Sequence, residues 1–195
     1  MPGRPLWETS CRDPSGWFTV IEIEPARVED APAISRIARS LLLEGRDLTS
    51  AEEHGFFLFA GRDEFYEKMI RASHYCYVAR DNGQCIGFIT TREPAQLKAM
   101  PAGKYRDIFL ENGEFPLLIE QIGILPEWQN RGIGQALLDQ VVASCPQPRI
   151  TATVVVAPVR NSRSVRFFAE QNKWTLRRQV NTGDHVWCFY ELRRS

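Results

Sequence analysis

This chain of 195 residues has little from which to build a metal centre or a disulfide framework. Its five cysteines (Cys11, Cys76, Cys85, Cys145 and Cys188) are odd in number, irregularly spaced and contain no C-x-x-C, so they read as free thiols of a reducing cytoplasm. The histidines His54, His74 and His185 are scattered and form no H-x-x-x-H pair, so no metal site is expected. Charge of one sign is not in excess: 24 basic residues face 24 acidic ones, which argues against a general nucleic-acid binder. No apolar run approaches a membrane span, and Arg4 and Arg12 flank no apolar core of a secretory leader. No nucleic acid, no membrane and a cytoplasmic location are therefore the expectations. No internal repeat is visible.

What is present is the composition of an ordinary globular domain, long enough for a real core. Its most informative stretch runs from Ile122 to Leu138: a buried-type strand, a Pro126-marked exit, a glycine-spaced turn and an amphipathic helix. A helix start reached through glycines binds anions, because its first N–H groups lack intrahelical acceptors and the macrodipole adds positive charge. A P-loop is excluded, since Gln135 and Ala136 stand where Lys and Ser/Thr belong. A dinucleotide fingerprint is excluded too, since Leu137 stands where the third glycine belongs.

Gln129-x-x-Gly132-x-Gly134 after Ile124-Leu125-Pro126-Glu127 resembles the acyl-CoA signature of the GNAT superfamily of N-acetyltransferases. The segment from Pro25 to Ile34 also resembles that superfamily's usual opening, more weakly.

The pattern along the chain agrees. Residues 1–16 carry three prolines and little periodicity and read as an arm without regular structure. Strands are predicted over 17–24, 75–80, 85–91, 117–124, 150–156, 174–180 and 185–192, and helices over 29–43, 62–72, 132–144 and 161–171. Asn82-Gly83 marks a tight hairpin. Residues 45–61, with the Phe56–Phe59 patch, are less regular, and the patch reads as core more readily than as an acceptor site. Residues 93–116 are too long for a structureless loop and predict short helices near 95–100 and 105–110. The order matches the superfamily over residues 17–192. The expected fold class is α/β (α+β): a single GNAT-like domain spanning residues 17–195. Its mixed central sheet has about seven strands flanked by helices, splayed between the fourth and fifth, where the family binds coenzyme A.

The chemistry implied is attack of an amine on a thioester. A lysine-like amine has a free pKa near ~10, so a base is needed to neutralise it. Glu120 is the candidate base: it lies four residues before Ile124, where many family members carry a glutamate facing the acceptor cleft. Its neighbours Leu117, Leu118, Ile119 and Ile122 predict a poorly solvated carboxylate, and the alternative is a glutamate paired to an arginine. Glu114 and Glu127 are weaker candidates. The resemblance implies that the backbone of Ile122, Gly123 and Ile124 pairs with the pantetheine arm like an added strand. The Ile124 N–H would polarise the thioester carbonyl. Gln129, Asn130, Arg131, Gly132, Ile133, Gly134 and Gln135 would cradle the pyrophosphate. Asn161 would bond the pantetheine region, or act as a plain helix N-cap. From Pro158 to Arg178 six basic residues face one acidic residue, Glu170, and Arg166 is the preferred phosphate contact.

One residue departs from the pattern. Phe168 stands where the family's tyrosine often protonates the leaving thiolate. Solvent or the substrate ammonium, another group such as Tyr190 or Tyr105, or a loss of efficient transfer would each accommodate this. The function expected is transfer of an acetyl (acyl) group from acetyl-CoA to a primary amine of a small molecule, peptide or protein, by direct attack in a ternary complex. Neither a covalent intermediate on Cys85 or Cys145 nor a metal is implied. The rival is a non-catalytic acyl-CoA-binding sensor or interaction module. A homodimer through exposed strand edges is left open.

Overall fold

A computed structural model describes residues 8–12 and 18–194, with the side chains of residues 8–19, 53, 104 and 105 outside the description. It is one α/β domain on a mixed sheet. In chain order the strands are β1 (Glu8–Arg12), β2 (Phe18–Pro25), β3 (Tyr77–Asp81), β4 (Gln84–Arg92), β5 (Leu117–Ile124), β6 (Arg149–Ala157), β7 (Thr175–Asn181) and β8 (Val186–Arg193). Their hydrogen-bonded order is β1-β2-β3-β4-β5-β6-β8-β7. The seven expected strands are all present, and β1 is the eighth. It lies within the segment read as an arm and pairs antiparallel with β2, from Glu8↔Glu22 to Arg12↔Phe18. The rest of that segment falls outside the described residues.

The helices are α1 (Ala31–Ser40), α2 (Leu48–His54), α3 (Asp63–Ala72), α4 (Pro94–Ala99), α5 (Lys104–Asp107), α6 (Ile133–Ser144) and α7 (Ser162–Val165), the last continuing as a π-helical turn over Arg166–Gln171. Two compact units are distinguishable, and β4 and β5 run through both. The first takes the described residues up to Leu42, then Phe59–Thr90 and Gln121–Pro146. Its α1 buries Ala31, Ile34, Ile37 and Ala38 at helical spacing and packs on α3. Each such buried isoleucine contributes roughly 1.5–3 kcal/mol. Helix α6 buries Ile133, Leu137, Leu138 and Val141 and packs on β2 and β3. The β3–β4 hairpin turns through left-handed Asn82 and Gly83, as the dipeptide predicts.

The second unit takes Leu43–Leu58, Thr91–Glu120 and the described residues from Gln147 onward. Here β5 and β6 are parallel, paired from Leu117↔Ile150 to Ile119↔Ala152. Both strands continue beyond this short ladder, and this is the pair expected to splay. Antiparallel β8 joins β6 to β7. The long 93–116 insertion does contain two short helices, and it packs through Leu97 and Phe109 on Leu118 and Phe189. Helix α2 is the one helix not predicted. Its signal was local: Asp47 accepts from Ser50 N–H at 2.9 Å as an N-cap, and Gly55 ends the helix at φ +73°.

Candidate active site

In the first unit β5 ends in a turn built to aim backbone N–H groups. Leu125 N–H donates to Ile86 O at 2.9 Å, and Pro126–Trp128 forms a 3₁₀ turn with Trp128 buried. Gly87 lets β4 approach the end of β5: a Cβ there would lie 2.5 Å from Ile124 Cδ1 and 3.2 Å from Gly123 O. The loop is braced by its own side chains. Gln129 Nε2 donates to Ile124 O at 3.2 Å. Arg131 donates to Glu127 O at 3.0 Å, and its guanidinium lies 5.2 Å from the Trp128 ring centroid. Asn130 and Gly132 both take left-handed φ, +62° and +79°. A Cβ on Gly132 would meet nothing within 4 Å, so glycine is required there by conformation and not by space.

Gly132 is the N-cap of α6, and no side chain caps this helix. The first intrahelical bond is Ala136 N–H to Gly132 O at 2.9 Å. The N–H groups of Ile133 and Gly134 therefore precede the ladder and carry the positive end of the macrodipole. Buried Ile133 anchors this turn, and Gln135 bonds Asp139 at 2.8 Å. An anion is the ligand such a turn suits.

In the second unit Glu120 is held by Arg92 in a two-pronged ion pair, 2.7 Å from Nε and 3.2 Å from a terminal nitrogen. Both side chains are largely buried, 17% and 21% exposed. A carboxylate offers about four acceptor sites, so two remain for another donor. On β5, Glu120, Ile122 and Ile124 are half-buried and alternate with buried Gln121 and Gly123, so the first three share a strand face.

Asn161 caps α7: its Oδ1 accepts from Ser164 N–H at 3.2 Å, while its Nδ2 donates to Phe56 O at 2.9 Å. The cap is thus real, and the same side chain also ties down the segment after α2. Phe56 sits in a core with Ala51 and Val155, as expected for part of that patch, whereas Leu58 and Phe59 are exposed. Arg166 is exposed at the start of the π-helical turn. Burial, with Arg166 beside it, lowers the pKa of Arg163. Phe168 is buried, 5.1 Å from the Trp174 ring and stacked on Tyr190 at 6.4 Å and 15°. Burial, with Cys188 adjacent, raises the Tyr190 phenol above its ordinary 10. A hydroxyl is therefore present next to Phe168, and it is kept protonated.

The sequence profile of the acetyltransferase (GNAT) family matches residues 42–172. The chain belongs to the GNAT acetyltransferase family. No curated protein matches it. Among solved structures, Arabidopsis thaliana Naa50 in complex with the bisubstrate analogue CoA-Ac-MVNAL is similar, with 17% identity and a TM-score of 0.60 over 89% of this chain and 99% of that one. Arabidopsis thaliana NAA60 in complex with acetyl-CoA has 16% identity and a TM-score of 0.61 over 89% and 99%. Salmonella typhimurium yncA, a putative acetyltransferase with its cofactor acetyl-CoA, has 16% identity and a TM-score of 0.61 over 89% and 93%. At these identities the likeness is one of fold.

Other residues of this GNAT chain fall into place around these sets. Glu127 and Glu114 are exposed, and Glu114 belongs to a bridged turn with Glu111. The Tyr105 and Cys11 side chains lie outside the described residues. Cys76, Cys85, Cys145 and Cys188 are buried and in no disulfide. Burial pushes the Cys85 thiol up to about 11, which opposes its use as a nucleophile. Among the described residues no three His, Cys, Asp or Glu side chains converge as metal ligands, and no helix is long and apolar enough to cross a membrane.

Sequence reasoning offered an arginine partner for Glu120, as the structure shows, without identifying Arg92, and it missed a buried chain of polar groups that begins at the next residue, Gln121. Tyr66 O–H donates to Gln121 Oε1 at 2.8 Å, Gln121 Nε2 to Phe59 O at 2.7 Å, and Gly61 N–H to Tyr66 Oη at 3.3 Å. Tyr66 and Gln121 lie 55 residues apart, so no local pattern announces the pair.

Proposed function

We propose that this chain transfers an acetyl (acyl) group from acetyl-CoA to a primary amine by direct attack in a ternary complex. The observation that carries the reading is the start of α6. Left-handed Asn130 and Gly132 present the Ile133 and Gly134 N–H groups ahead of the helical ladder, immediately after β5, in a member of the GNAT family. These donors fit the pyrophosphate of coenzyme A, with Gln129, Arg131 and Gln135 bracing the turn and Asn161 and Arg166, which flank α7, as further contacts. The backbone of Ile122, Gly123 and Ile124 would pair with the pantetheine arm, and the Ile124 N–H would polarise the thioester carbonyl. The half-buried face shared by Glu120, Ile122 and Ile124 supports placing the base on that side. Glu120 would accept the amine proton on an acceptor site not taken by Arg92. The Tyr190 phenol, whose ring stacks on Phe168, would replace the missing tyrosine. The acceptor is an amine on a small molecule, peptide or protein, and the peptide-bearing analogue on Naa50 puts peptides among those to screen.

A second reading is a non-catalytic acyl-CoA-binding sensor or interaction module. The Arg92–Glu120 pair favours it, since a carboxylate engaged by a guanidinium has a structural reason to be there. Paired variants separate the two. Under catalysis, Glu120→Gln retains coenzyme A binding but loses about 10²-fold or more in turnover, the usual worth of a general base, whereas Arg92→Gln loses much less. Equal losses in both variants would reduce Glu120 to an ion-pair partner.

A further inference from the structure

The second unit holds a cavity of about 250 Å³ whose lining includes none of the residues proposed above for coenzyme A or the amine. It is lined by the arginines Arg149, Arg177 and Arg178 together with Thr151, Glu111 and Glu191. Successive strand residues normally face opposite sides of a sheet. Two consecutive arginines reach one cavity because β7 is bulged: Leu176 pairs with Tyr190 and Arg178 with Phe189, so Arg177 is the extra residue.

The two glutamates are already well neutralised. Arg193 bonds Glu111 and Glu191, each at 2.6 Å, and Arg149 bonds Glu111 at 2.8 Å. Two of the cavity arginines, by contrast, keep unspent donors. Arg149 is committed: its terminal nitrogens bond Glu111 and the Phe109 and Glu114 carbonyls, and its buried Nε stands 3.3 Å from Glu191 Oε2 as an ion pair, off the line of a hydrogen bond. Arg177 stands 3.6 and 3.8 Å from the two glutamates, beyond hydrogen-bonding distance. Arg178 has no acidic partner among the described residues and lies 5.1 Å from the Phe189 ring centroid. Four arginines thus face two carboxylates, and the surplus donors border one small cavity.

We infer that this cavity binds a small molecule through a carboxylate or phosphate group, held by Arg177 and Arg178. Planar guanidinium forks suit both groups. The inference does not depend on acyl transfer. A purely structural cluster pinning the Glu111 segment would need Arg149 and Arg193, whereas the ring contact of Arg178 leaves its N–H donors without an acidic partner among the described residues.

The test is calorimetric titration of inorganic phosphate, and separately of succinate, into the full chain at low ionic strength. Saturable binding of at least one anion is expected, weakened about tenfold or more in Arg178→Gln and in Arg177→Gln, the effect of losing a charged hydrogen bond. Circular dichroism would show both variants folded, since each side chain lies on an exposed strand. Phosphate alone binding assigns a phosphate-bearing ligand, succinate alone a carboxylate, and both the shared anion chemistry. Absence of binding to the folded protein overturns the inference. So does phosphate binding that both variants leave unchanged, since that anion would sit elsewhere, such as at the start of α6.

Discussion

The start of α6 and the arginine cavity both offer nitrogen donors to an anion, but they are made of different materials. At α6 the donors are backbone N–H groups aimed by left-handed Asn130 and Gly132, and no charged side chain caps the helix. In the cavity they are guanidinium groups gathered on β7 and balanced by Glu111 and Glu191. Conformation controls the first and charge controls the second. The first should therefore fail when one φ is forbidden and tolerate changes in pH. The second should follow the ionisation of its carboxylates.

The sharpest way to break the contrast is Gly132→Val. A β-branched residue in the left-handed region costs about 1–2 kcal/mol, although a Cβ there would meet nothing within 4 Å. Acetyl-CoA affinity should fall about tenfold or more as the N–H groups lose their aim, with phosphate or succinate binding at the cavity unchanged. Parallel losses at both places would mean that the two are not independent.

A smaller effect is expected at the uncharged network between these extremes. Gln121→Leu removes the acceptor of the buried Tyr66 hydroxyl and the donor to the Phe59 carbonyl. It should destabilise the fold by about 1–3 kcal/mol, the cost of unsatisfied buried groups, measured by urea unfolding, and the loss should be the same across neutral pH.

The smallest effect belongs to Glu111→Gln. Arg193, bonded to Glu111, with Arg149 and Arg177 nearby, lowers the Glu111 pKa below its ordinary 4.5. A lowered native pKa stabilises the fold fully above the unfolded-state value, and that stability is lost as pH falls through the native one. The variant should therefore be less stable than the parent at pH 7, by under about 1 kcal/mol for so exposed a carboxylate. The difference should begin to fall as pH drops below 4.5, vanish once pH has passed below the lowered native value, and shrink in high salt. A difference that persisted in acid would mean that Glu111 acts by packing.

The same contrast explains what could be read from the sequence. The α6 turn was legible because its determinants, Pro126, Gln129, Gly132 and Gly134, lie within nine consecutive residues, and dihedral preference is a local property. Period and turn chemistry likewise located the seven expected strands, the Asn82-Gly83 hairpin and the helices of the long insertion. β1 escaped because five polar-rich residues among prolines carry little β signal, and α2 because its cap was masked by an irregular surround. The cavity was not legible at all. Glu111 meets Arg193 across 82 residues and Arg149 across 38, and the bulge that turns Arg177 toward Arg178 exists only once β7 pairs with β8. Glu120 shows both limits: its place on β5 was readable, whereas Arg92, on another strand, was not.

The most direct test of the central claim is a calorimetric titration of acetyl-CoA into the purified chain, with ATP and NAD as controls and Gly132→Val run beside the parent. The account predicts saturable one-site binding of acetyl-CoA, weaker or absent binding of the controls, and a sharp loss in the variant. A folded parent protein that fails to bind acetyl-CoA, or that prefers ATP or NAD, would contradict it and leave Gly132 and Gly134 as residues that only shape a turn.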